Sequence, residues 1–145
     1  MKVIIAAAVL AALGAGAAFA QADVIKARQE AMKAAGAATG PVGKMLKGEE
    51  AFDLAKVQAA LRAYSDTAKK SAALYPDNSK TGGDTAALPA VWEKKADFTA
   101  KFEAWDKEAA AALASIKDEA SFKATFPNVL KNCGGCHETY RAKKS

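Results

Sequence analysis

Cys133, Cys136 and His137 restrict the folding of this 145-residue chain more than any other residues do, and they stand in one run, Cys133-Gly134-Gly135-Cys136-His137. They are also its 2 cysteines and its 1 histidine. The spacing is C-x-x-C-H, the covalent attachment motif for c-type haem. On a helix, side chains three and four residues apart share a face. Both thiols can then reach haem vinyl groups while His137 offers its imidazole to the iron. Other uses of the pattern fit less well. A redox C-x-x-C pair belongs beside a strand–helix unit, and no such alternation is present. A structural zinc site wants four ligands, which the chain lacks. A plain disulfide leaves the adjacent His137 without a role.

Residues 1–20 read as a secretory signal peptide. Lys2 is the basic end, Val3 to about Leu13 is an apolar run too short for a bilayer, and Ala18-Phe19-Ala20 is an A-x-A cleavage signal before Gln21. The alternative is an uncleaved anchor. Cleavage leaves residues 21–145 as one domain with one core, exported to the periplasm and without membrane insertion. Haem attachment of this type takes place outside the bacterial cytoplasm, so two features agree on location. The net charge of +5 falls by one unit with Lys2. The excess is spread along the chain, which gives no case for nucleic acid. Alanine is abundant, while glycine and proline are sparse, an all-helical composition.

In chain order, the spacing predicts four helices. The first runs from Asp23, a candidate cap, to about Lys47, with Ile25, Arg28, Met32 and Ala35 on one stripe. Gly40-Pro41 should kink or break it, and Gly48 should end it. The second runs from about Glu50 to Leu74 with Leu54, Val57, Leu61, Tyr64 and Ala68 inward. A polar loop follows through Thr81-Gly82-Gly83-Asp84. The third begins near Leu88. There Val91, Phe98, Trp105 and Ala112 recur every seven residues, as do Lys95, Phe102, Ala109 and Ile116, with Lys95 the exception. The fourth follows a turn at Asp118–Ser121 and carries Phe122, Phe126, Val129, Cys133, Cys136 and Tyr140 on one face. The expected fold is all-α, an antiparallel up-down-up-down four-helix bundle with covalently bound haem c.

With one histidine, the distal iron ligand is methionine, lysine, water or nothing. In such a bundle the first and fourth helices run antiparallel, so His137 lies beside the N-terminal half of the first. Met32 is on that half, and Met45 lies about 20 Å further along. Met32 is the thioether candidate, though core packing without an iron bond is an equal use of a methionine there. Met45 reads as core.

The whole mature segment resembles the class II cytochromes c, the family of cytochrome c′ and its low-spin relatives of the cytochrome c-556 type. The likeness rests on a C-terminal C-x-x-C-H continued by Tyr140-Arg141, and on Arg28-Gln29-Glu30-Ala31-Met32, where the family has an Arg-Gln pair before the distal residue. Met32-Lys33-Ala34-Ala35-Gly36 and Lys47-Gly48-Glu49 look closer to the low-spin branch. The resemblance implies iron ligation by His137 and Met32. It also implies that Arg28 or Gln29 holds a haem propionate, that Arg141 lies near the proximal imidazole, and that a homodimer through the first two helices is open to the chain.

The leading expectation is therefore a non-enzymatic carrier of single electrons between periplasmic redox proteins, its iron low-spin. The alternative is a high-spin, five-coordinate cytochrome c′ that binds nitric oxide or carbon monoxide at an open distal site. A haem peroxidase would call for a distal acid–base group, and no second histidine exists.

Overall fold

A computed structural model describes the backbone of residues 2–143 and the side chains of residues 21–143. The expected leader side chains and the cleavage signal lie outside the described side chains. Among the described residues there are five α-helices: α1 (Lys2–Leu46), α2 (Leu54–Ser71), the short α3 (Ala90–Glu93), α4 (Lys95–Ser115) and α5 (Glu119–Tyr140). α1 packs along α2, α2 along α4, and α4 along α5, the antiparallel up-down-up-down bundle, while α1 and α5 have no such extended contact. Among the described residues no helix is long and apolar enough to cross a membrane.

The helices depart from the sequence expectation in five places. α1 starts at Lys2 rather than Asp23, because the alanine-rich leader is itself a good helix former. Asp23 lies inside the helix and caps nothing. Pro41 also fails to interrupt it. Ala37, Gly40 and Pro41 are all exposed, so the carbonyl that loses its helical partner faces water. α2 begins at Leu54 because Asp53, in extended backbone, accepts a hydrogen bond from the Lys56 amide at 3.1 Å. Its α-helix stops at Ser71, and Ala72–Leu74 tightens into a 3-10 turn. The third helix is split at Lys94, whose backbone (φ −116°, ψ 42°) leaves the helical region just before the exposed Lys95 that breaks the heptad.

Gly48 does end α1. Its φ of +76° suits glycine, and the Glu49 amide returns to the Lys44 carbonyl at 2.9 Å.

The heptad positions close the core. Val91, Phe98, Phe102, Trp105, Ala109, Ala112 and Ile116 are buried, and so are Phe122, Phe126, Val129 and Tyr140 from α5. Tyr64 of α2 sits centrally at 0% exposure, with the Trp105 ring 5.5 Å and the Phe126 ring 6.0 Å away. Its hydroxyl lies 2.7 Å from Thr39 Oγ1 and so ties α2 to α1.

α5 starts with a capping box. Asp118 Oδ1 accepts from the Ser121 amide at 2.8 Å, and Ser121 Oγ accepts from the Asp118 amide at 3.1 Å. The Ser121 amide, and then its hydroxyl, both donating to Asp118 Oδ1, hold the carboxyl below its usual 3.8. A lowered folded-state pKa means stability that is present above the unfolded value and lost as pH falls through the folded one. Asp118→Ala is therefore expected to lower the thermal midpoint at neutral pH. The gap from the parent should narrow below pH 3.8 in a series of melts.

Candidate haem site

Between α1 and α5 lies a cleft of about 540 Å³, lined by Arg28, Gln29, Met32 and Lys33 from α1 and by Cys136, His137, Tyr140 and Arg141 from the end of α5. Tyr75, Val91 and Phe98 supply apolar wall, and Asp84–Ala87 close one side. Cys133 shares with Cys136, His137, Phe102 and Trp105 a smaller adjoining cavity of about 40 Å³. The i, i+3, i+4 spacing on α5 thus places two thiols and the imidazole along one line of cavity wall. Both cysteines are free and half-buried. Burial raises both thiol pKa values and keeps the thiols neutral. Burial, and then the nearby Arg141 guanidinium, lowers His137 below its usual 6.5. A neutral imidazole is the form that binds a metal.

Met32 is half-buried, packs on the core and lines the same cleft as His137. Met45 is core, at 3% exposure. Arg141 caps α5, its amide donating to the His137 carbonyl at 3.3 Å, and its side chain is exposed at the cleft.

Arg28 is only 4% exposed. Its Nη2 donates to the Ser79 carbonyl at 2.9 Å and to Thr85 Oγ1 at 2.8 Å, and its Nη1 donates to Ser79 Oγ at 3.3 Å. The guanidinium also lies over the rings of Tyr75 and Trp92, 4.8 and 5.9 Å from their centroids. Gln29 donates to the Asp84 carbonyl at 2.8 Å. Among the described residues no carboxylate pairs with Arg28, whose pKa burial lowers.

A buried guanidinium on a cleft wall without a counter-charge is a place for an anion. The Trp105 indole N–H beside the cysteines is likewise buried and unpaired. Two thiols, a neutral imidazole, a thioether, aromatic walls and a cationic edge together fit a flat apolar macrocycle that carries carboxylates, and therefore haem.

The residues that surround the Arg28 guanidinium were not legible as site residues. Ser79, Thr85 and Tyr75 sit in a polar loop and at a helix stop, where nothing in the local pattern marks them as partners of Arg28. Phe98 and Tyr140 were legible as aromatic core candidates able to line a haem pocket, and both stand on the wall of the cleft.

Such a bundle, with its C-x-x-C-H on the last helix, defines a c-type cytochrome of the four-helix class. The family model described as Cytochrome C′ matches residues 23–141, and the chain belongs to that family. Its cofactor is haem c. The chain is 54% identical to cytochrome c′ of Rhodopseudomonas palustris, over 94% of this chain and 93% of that one. It is 39% identical to cytochrome c-556 of Agrobacterium fabrum, over 99% of this chain and 97% of that one. The solved structure of the R. palustris cytochrome c′ superposes with a TM-score of 0.83 at 54% identity, covering 85% of this chain and 98% of that one.

Proposed function

We propose that this protein is a periplasmic monohaem cytochrome of the c′ type, with its distal haem face open to a diatomic ligand such as carbon monoxide or nitric oxide. The observation that carries this reading is the 54% identity to a cytochrome c′, against 39% to a cytochrome c-556, each across nearly the whole chain. Haem c, once attached, supplies an iron centre that exchanges one electron and accepts a small axial ligand. In this reading the chain's own residues divide the remaining tasks. Cys133 and Cys136 would form the thioethers, and the neutral His137 ring would ligate the iron. Arg28 and Arg141 place positive charge toward the propionates and the imidazole. Met32, Val91 and Phe98, apolar residues of the cleft wall, would exclude water from the bound group. No bond-making residue is required.

Met32 favours a second reading, the low-spin carrier of single electrons between periplasmic redox proteins. Its sulfur is the one thioether on the wall of the cleft that holds His137. Its packing against the core equally supports a covering role.

The family match begins at residue 23, and the solved R. palustris chain spans 85% of this one. Both support removal of residues 1–20 as a leader. A homodimer through α1 and α2 belongs to the same proposal.

Absorption spectra of the holoprotein, oxidised, dithionite-reduced and then exposed to carbon monoxide, test it. A broad reduced spectrum that shifts at once with carbon monoxide is expected. Sharp split bands on reduction, a near-infrared sulfur-to-iron band when oxidised and no response to the gas would replace this reading with the Met32-ligated carrier.

A further inference from the structure

α1 and α5 meet at the cleft through an intermediary, the strap of residues 76–88. On one side Gln21, Arg28 and Gln29 of α1 donate to Thr81, Ser79, Thr85 and Asp84. On the other, the Leu88 amide donates to the Tyr140 carbonyl at 3.0 Å, and the Ala142 amide to the Ala86 carbonyl at 2.8 Å. Between these anchors the chain turns through Gly82 and Gly83, at φ +88° and +52°, conformations that glycine adopts without a Cβ penalty.

The strap's fastening is polar. From Pro76 to Leu88 only Ser79 is fully buried, and apolar contact with the core is confined to half-buried residues such as Ala87, so little apolar area holds the segment down. Segments of that kind open locally at low free-energy cost. Against this stands Arg28, a charged group with neutral acceptors. Opening the strap strips the guanidinium of its Ser79 and Thr85 bonds while α1 still holds it beside Tyr75 and Trp92. Charge-assisted bonds of this type are the stronger ones, and they favour the closed strap.

We propose that Arg28 is a positioning residue that latches the strap against the Met32 side of the cleft, and that release of this latch sets how fast a diatomic ligand enters and leaves. The inference rests on the distal-ligand reading above. A gate lowers or raises the barrier for entry and exit alike and leaves the equilibrium affinity unchanged. An altered iron pocket changes the affinity.

The experiment uses reduced holoprotein carrying Met32→Ala, so that no thioether competes, with Thr85→Val or Ser79→Ala added singly, each of which removes one acceptor of Arg28. Carbon monoxide association is followed by flash photolysis, dissociation by ligand replacement, and folding by circular dichroism. Both rate constants are expected to rise about tenfold, the change that about 1.4 kcal/mol produces, with affinity and helicity retained. Unchanged rates, or a change in affinity carried by one rate alone, would overturn the latch. Should Thr85→Val fail to fold, Ser79→Ala decides, since it too removes one side-chain acceptor and keeps the charge. If the unsubstituted protein proves six-coordinate, the open distal face falls, while the rates in the Met32→Ala background still decide the latch.

Discussion

Replacing Cys133 and Cys136 together with alanine is expected to abolish covalent retention of haem. These are the chain's 2 cysteines, so no other thiol can substitute. Both are half-buried and line the cavities that also hold His137. A macrocycle seated there would meet both sulfurs without rearrangement of α5. The check is a denaturing gel stained for haem, with extraction into acidified organic solvent. The parent should keep nearly all its haem on the polypeptide, and the double variant almost none. Each single variant should keep a partial signal, because one thioether remains. Covalent haem that survived the double substitution would remove Cys133 and Cys136 from the site. Alanine at these positions deletes only a small side chain each, so a folded apoprotein is the expected background.

Tyr64→Ala should be the most damaging single change to the bundle. Tyr64 is fully buried, contacts Trp105 and Phe126, and joins α2 to α1 through Thr39. Truncating a buried aromatic removes its transfer free energy and leaves a cavity, about 3–5 kcal/mol in well-packed cores. A domain of this size would lose about 10 °C or more in its thermal midpoint. Tyr64→Phe separates the two contributions. It keeps the ring and loses only the hydroxyl, worth about 1 kcal/mol, and Thr39 retains its bond to the Ala35 carbonyl at 2.8 Å. A small effect from Tyr64→Ala would mean that Trp105 and Phe126 collapse into the space and that the core is less tightly specified than its geometry indicates.

Much of this molecule was legible in advance because helical periodicity and the haem motif are local. The stripe from Phe122 to Tyr140 and the two interleaved heptads from Val91 to Ile116 became buried faces, with the Lys95 exception marking the place where the third helix splits. Arg28 was harder to place. Its position one turn before Met32 put it on the right face, yet its hydrogen-bond partners come from Ser79 and Thr85, more than fifty residues away. Helix ends were legible where a single residue's backbone preference stops the helix, as at Gly48. They were misplaced where propensity ran on, as at Asp23, or where solvent absorbed a lost bond, as at Pro41.

By itself the sequence determined the helices, the core-facing residues, and the grouping of two thiols and one imidazole on a single helical face, because each depends on spacing along one element. Only the tertiary structure decided that α1 and α5 stand apart around a cleft and that a polar strap spans it from Arg28 to Tyr140. Those features depend on contacts between residues distant in the chain, and no local period encodes them.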